Sequence, residues 1–303
     1  MTATEEADLF TGDFLARLER VRLQLRRIFS GARRAERRSR RTGSSLEFAD
    51  HRNYTPGDDP RRIDWSIYGR LERLMVKLYE EEDDLDVAIL IDTSASMHWQ
   101  APGAAHPTKF TLARQLAAAL AYLALHNLDR VRVGYFDSTL RTESAPFRGK
   151  PAFHDVLRFL QTVPASPGRT DLAASLGRFG RAQNRRGLIL ILSDGLDPTG
   201  FERGLAAVTG RHFAVHFLHV LDPAECDPKD RGDLHLRDCE DSAEMAVTAS
   251  PALLTAYRAE VQKFCDGAKS WCARHEAGYS FILSDAAFDD VVLRMFRQDG
   301  LVR

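Results

Sequence analysis

The sequence predicts an α/β protein built on a doubly wound, mostly parallel sheet, with an N-terminal helix and a small β-containing extension ahead of it. Three observations carry this expectation. The runs at 86–92, 187–193 and 212–221 are short and rich in apolar residues, as strands covered on both faces are. Helical segments separate them, at 108–127, 150–162, 170–183 and 200–209. Strand alternating with helix calls for parallel pairing through right-handed crossovers. With 303 residues and 44% hydrophobic content, the chain is long enough for one large α/β domain with an appendage, or for two domains.

Taken in order, residues 8–30 read as a helix. Phe10, Phe14, Leu18, Val21, Leu25 and Ile28 recur at spacings of three and four. Residues 31–45 are basic and end in Thr-Gly-Ser-Ser, an expected loop. Leu74–Tyr79 reads as a strand, and Pro56-Gly57-Asp58 before it as a turn. Strand 86–92, helix 108–127, strand 131–137, helices 150–162 and 170–183, strand 187–193, helix 200–209 and strand 212–221 follow. The pattern then lapses into a polar insertion, 223–250, with two short strands expected near Asp233–Arg237 and Glu244–Thr248. A long helix from Pro251 to about His275, a strand Tyr279–Leu283 and a helix Ala286–Phe296 close the chain. The boundary between the two regions is expected at 83/84.

Net charge is near zero, but its distribution is uneven. Residues 17–41 hold eleven arginines against Glu19 and Glu36, while 80–86 hold Glu80, Glu81, Glu82, Asp83, Asp84 and Asp86. The basic stretch is either an arm for nucleic acid or acidic lipid, or a solvated helix face paired with acidic surface. The absence of aromatics among residues 30–47 favours the second. The four cysteines, Cys226, Cys239, Cys265 and Cys272, form no C-x-x-C pair and are expected to be free thiols. No apolar leader follows Met1–Gly12, and no stretch of about 18 apolar residues occurs. The expected location is therefore the cytoplasm.

The chemistry concentrates at the end of the 86–92 strand, in Asp92-Thr93-Ser94-Ala95-Ser96. Loops past the carboxyl ends of parallel strands are where ligand sites of open α/β sheets gather. Two further loops belong at the same edge: Gly168-Arg169-Thr170-Asp171, and Ser193-Asp194-Gly195. Asp92, Ser94, Ser96, Thr170 and Asp194 together form an all-oxygen donor set of low charge. Such a set suits Mg²⁺, or Mn²⁺ or Ca²⁺, and leaves a coordination position open. The competing use of the hydroxyls is as helix N-caps. His212, His216 and His219 lie in one strand without a carboxylate at ligand spacing, and read as core or surface histidines.

This D-x-S-x-S … T … S-D-G order resembles the metal-ion-dependent adhesion site of von Willebrand factor type A domains, over roughly residues 84–222. The resemblance implies that Asp92, Ser94, Ser96, Thr170 and Asp194 hold the cation, Asp194 through water, while a partner donates a carboxylate oxygen. The upstream segment Glu47-Phe48 … Arg52-Asn53-Tyr54 … Gly57-Asp58-Asp59 … Arg61-Arg62-Ile63-Asp64-Trp65 resembles the hallmark of DUF58, a bacterial family of uncharacterised function. That second resemblance implies an adaptor for a MoxR-type AAA+ ATPase. For Arg52, Asp58, Arg61, Asp64 and Trp65 themselves, the residues read mainly as an internal network in which arginine bridges carboxylates and Trp65 fills a core gap. A partner-binding surface is the alternative.

Two other function classes compete. A phosphohydrolase of the haloacid-dehalogenase kind needs a second Asp two residues after the first, where this chain has Ser94. Neither a G-x-x-x-x-G-K-[ST] loop nor a G-x-S-x-G elbow occurs. Nucleic-acid binding through the arginine-rich stretch is the other. The leading expectation is a non-enzymatic, metal-dependent protein–protein interaction module.

Overall fold

The computed structural model describes residues 9–36, 42–43, 47–80, 85–162, 168–183, 187–210 and 213–298. The chain forms two compact units, one of residues 26–84 and one of residues 1–25 with 85–303. Helix α1 (Gly12–Glu36) begins in the larger unit. Its apolar stripe is buried there: Phe14, Leu18, Val21 and Leu25 are each at most 4% exposed.

The smaller unit is a three-stranded antiparallel sheet in the order β1 (Thr42–Gly43), β3 (Met75–Glu80), β2 (Glu47–Asn53). The short helix α2 (Trp65–Leu71) precedes β3. Asp64 starts that helix by accepting from the backbone N–H groups of Ser66 and Ile67, and its other oxygen meets His51 Nε2 at 3.0 Å. Arg52 grips Asp58 with both guanidinium nitrogens at 2.7 and 2.6 Å, and Thr55 adds two bonds to the same carboxylate. The pair clamps the turn at Pro56-Gly57 and holds the Asp58 carboxyl well below its usual range. The core-filling expectation for Trp65 fails: the ring is 61% exposed and meets Tyr68 edge-on. A seven-residue helix has one turn to spare after its cap, and α2 buries none of its side chains. Arg61 contributes its backbone N–H to Asp59, and its side chain lies exposed.

The larger unit is a mixed α/β structure around a mostly parallel seven-stranded sheet. Its strands are β4 (Asp86–Asp92), β5 (Arg130–Phe136), β6 (Leu140–Glu143), β7 (Phe147–Arg148), β8 (Gly187–Ser193), β9 (Phe213–Leu221) and, after the β10 (Gly232–Arg237) and β11 (Glu244–Ala249) hairpin, β12 (Gly278–Leu283). The order is β12-β9-β8-β4-β5-β6, with β7 pairing the remaining length of β5. All pairs are parallel except β5 with β6 and with β7. The strands β6 and β7 are absent from the sequence expectation, because four and two largely polar residues carry no readable alternation.

The helices are α3 (Ala95–His98), α4 (Lys109–His126), α5 (Phe153–Gln161), α6 (Leu172–Ala182), α7 (Phe201–Ala206), α8 (Pro223–Cys226), α9 (Pro251–Arg274) and α10 (Phe288–Gln298). Alternate residues of the strands enter different layers. Ala88 and Leu90 of β4, Ile189 and Ile191 of β8, and Val215 and Phe217 of β9 join one buried cluster with side chains of α6, α7 and α9. Helix α4, buried along nearly its whole Ala/Leu-rich length, packs on β4, β5 and β9. The N-terminal part of α1 reaches α10 through the Phe14–Phe288 ring contact at 4.6 Å and the Arg17–Asp289 ion pair, and Tyr122 of α4 through Glu19. Arg17 and Arg22 are thus paired with acids, as a solvated helix face would be. The side chains of the remaining arginine-rich stretch from Arg26 to Arg41, residues 81–84 of the acidic run, and His212 lie outside the described residues.

Candidate functional site

Strand order decides where a site can form. From β4 the chain first adds β5 on one side and then, after α6, β8 on the other, so the loops leaving β4 and β8 diverge at one carboxyl edge. Asp92 ends β4 and is fully buried. One of its oxygens accepts from Ser94 N at 2.9 Å; the other accepts from Ser193 Oγ at 2.7 Å and Thr170 Oγ1 at 3.3 Å. Ser94 and Ser96 hydroxyls lie 3.0 Å apart, and Asp194 directly follows Ser193, the donor to Asp92. The three loops are joined by the backbone as well: Ala95 N donates to Gly168 O, and Leu172 N to Asp197 Oδ2 at 2.7 Å. Asp92, Ser94, Ser96, Thr170 and Asp194, from three separate loops, meet in one buried cluster, each no more than 5% exposed.

Capping is not what these hydroxyls do. Ser94 stands at the N-cap of α3 without a side-chain cap bond, and α6 is capped by Asp171, which accepts from Ala174 N at 2.7 Å. Gly195 takes φ +68°, a conformation a side chain resists, as the chain turns after Asp194.

The sequence reading missed the cation already in the cluster. Lys109, the first residue of α4, is fully buried and donates to Asp194 Oδ2 at 2.8 Å and to Glu225 Oε1. Glu225 is aimed by a capping box: its second oxygen accepts from Asp222 N at 2.7 Å while Asp222 caps α8. A positive charge at a helix N-terminus opposes the helix dipole, so an ammonium there needs anions close by. That mismatch was the available signal. Burial works against the Lys109 charge, but Asp194 and Glu225 outweigh it and hold the ammonium above the ordinary lysine range. Burial likewise works to raise Asp194, yet Lys109 wins and keeps its carboxyl below the usual range. Asp92 has no such counter-charge: burial first, then Asp194, push its carboxyl well above the usual range. Glu225 and Glu240 are also raised, chiefly by burial.

His219 completes the underside. Burial pushes its ring down to about 4, so it is neutral near neutral pH. The Asp194 carbonyl, 2.9 Å from Nε2, can only accept; the ring proton is therefore on Nε2, and Nδ1 accepts from the Tyr279 hydroxyl at 2.9 Å. His216 is buried and meets Ser280 Oγ at 2.8 Å. All four cysteines are free. A cavity of about 810 Å³ adjoins the cluster, lined by Ser96 and Glu240 and by apolar side chains including Trp99, Leu196, Leu236, Leu253 and Phe264. Among the described residues no three His, Cys, Asp or Glu side chains gather as a metal-ligand group; the donor set is two carboxylates and three hydroxyls. No helix among them is long and apolar enough to cross a membrane.

Fold and site thus define a mixed α/β protein with a buried, acid-rich cluster at the carboxyl edge of its sheet. The profile of DUF58, protein of unknown function, matches residues 50–264, and the chain belongs to that family. The uncharacterized protein Rv1480 of Mycobacterium tuberculosis is 32% identical over 234 residues, covering 74% of this chain and 73% of that one; the uncharacterized protein Mb1516 of Mycobacterium bovis gives the same figures. Among solved structures, the conserved hypothetical protein BatB from Bacteroides thetaiotaomicron is similar at 14% identity and a TM-score of 0.45, over 72% of this chain and all of that one. An aerotolerance-related membrane protein from Bacteroides fragilis is similar at 16% identity and a TM-score of 0.43, over 71% of this chain and 98% of that one. Likenesses this remote carry no argument about function.

Proposed function

We propose that the carboxyl edge of the large sheet is a divalent-cation site of the von Willebrand factor type A kind, on a doubly wound fold of that class, and that the chain is a non-enzymatic docking module. The observation that carries this reading is the charge balance of the buried cluster. Lys109 pairs with Asp194 and Glu225, while the fully buried Asp92 carboxyl is pushed upward, by burial first and then by Asp194. Buried carboxylates demand counter-charge. A divalent cation held by Asp92, Ser94, Ser96 and Thr170, with Asp194 behind it, supplies that charge with donors hard cations prefer. Hydroxyls that cap no helix are free to ligate.

When bound, the cation would supply an electrophilic position for an incoming carboxylate. The protein contributes the rest: Ser193 and Ser94 N orient Asp92, Lys109 orients Asp194, and the largely apolar cavity beside Ser96 can receive a partner's apolar side chains. On this reading the partner offers an Asp or Glu, and the DUF58 resemblance makes a MoxR-type AAA+ ATPase the partner to test. Pull-down of a MoxR-type AAA+ ATPase, with and without chelator, is the direct measurement. Capture lost both in chelator and in Asp92→Ala supports the cation bridge; capture indifferent to both overturns it.

A further inference from the structure

We propose that Glu240, at the tip of the β10–β11 hairpin, is a built-in carboxylate ligand of this cation site, making the hairpin a competitor in cis of any acidic partner. The inference rests on the cation-site reading above. Register from Gly232↔Ala249 to Arg237↔Glu244 leaves residues 238–243 as the hairpin tip. Every tip residue is exposed except Glu240, which is drawn inward. The tip is rigid: Asp238 Oδ1 accepts from Glu240 N at 2.6 Å and from Asp241 N at 3.3 Å, and Asp238 N donates to Ala243 O.

The tip is also fastened to the site. Arg169, the neighbour of Thr170, pairs with Asp241, the neighbour of Glu240. Glu240 and Ser96 line the same cavity beside the cluster. Its Oε1 atom is shielded from solvent and has no hydrogen-bond partner. A carboxylate oxygen left bare and shielded from water is costly. A cation between Glu240, Ser96 and the Asp92 loop removes that cost, and Glu240 then takes the position a partner's acid would take. For a partner to bind, the Arg169–Asp241 contact must open and carry Glu240 away.

The test uses the full chain as wild type, Glu240→Gln and Asp92→Asn, with Mn²⁺ as the metal and acetate as the external carboxylate, followed by calorimetry and by the Mn²⁺ paramagnetic resonance spectrum. Glu240→Gln removes the bare charge, so without metal its unfolding midpoint should equal or exceed that of wild type, which shows that the variant folds. Loss of one charged ligand should weaken Mn²⁺ binding by about tenfold. Acetate should recover that affinity in Glu240→Gln and leave wild type unchanged. Equal Mn²⁺ affinity and equal acetate response in wild type and Glu240→Gln, with Asp92→Asn inactive, overturns the role of Glu240 and leaves the site standing. Wild type that takes up no Mn²⁺ overturns both.

Discussion

The carboxyl edge of the large sheet and the turn of the small β unit use the same chemistry, a cation gripping carboxylates, in opposite surroundings. Lys109 holds Asp194 and Glu225 with its own side chain and that of Asp194 fully buried. Arg52 holds Asp58 bidentately, with the arginine 42% exposed. Buried ions have given up hydration, so removing one partner strands the other; exposed ions exchange one solvated contact for another. The first pair therefore governs whether the site exists, whereas the second tightens a turn.

The sharpest way to break that contrast is Lys109→Met. It keeps the stem's volume and leaves Asp194 and Glu225 buried without their counter-charge. Urea unfolding should show a loss of about 3–5 kcal/mol. A loss below about 1 kcal/mol, the range of surface pairs, would sink the distinction.

Next in size is the pH response of His219. Its folded pKa, about 4, lies below the ordinary 6.5, so folding favours the neutral ring. The stability it contributes is complete above pH 6.5 and is lost as pH falls toward 4. Relative to His219→Gln, wild type should lose up to about 3 kcal/mol across that window. Parallel curves for the two proteins would show that the ring is not held neutral.

The smallest effects belong to the β unit. Asp64→Ala removes the N-cap of α2 and should cost about 1 kcal/mol in that unit's unfolding. Arg52→Ala should fall below even this, and what remains should vanish in high salt, because screening acts on exposed pairs. Thermal scans at low and high ionic strength check both; an Arg52 effect that exceeds that of Asp64 reverses the ranking.

Much of the fold was legible because buried parallel strands leave a dense local signature. The apolar run ending at Asp92 is β4 residue for residue, and Gly187–Ser193 is β8. The three site loops were legible for the same reason: each follows a readable strand or opens a readable helix. Antiparallel β6 and β7 were not, being too short and too polar to show a period. Nor was the exposure of Trp65, since an aromatic residue in a motif says nothing about which way a short helix turns it.

The sequence by itself determined the order of the parallel strands and the long helices between them, and the presence of Asp92, Ser94, Ser96, Thr170 and Asp194 at strand ends and helix starts, since these follow from patterns a few residues long. Tertiary structure alone decided what stands among them. Lys109 is 85 positions from Asp194 and 116 from Glu225, and only the packing of α4 against β4, β5 and β9 buries its ammonium between them. Glu240 is one acid in a polar insertion until the hairpin folds its tip toward Ser96. Charge pairing in a low-dielectric interior depends on distances of a few ångströms, and those are set by the fold, not by neighbours in the chain.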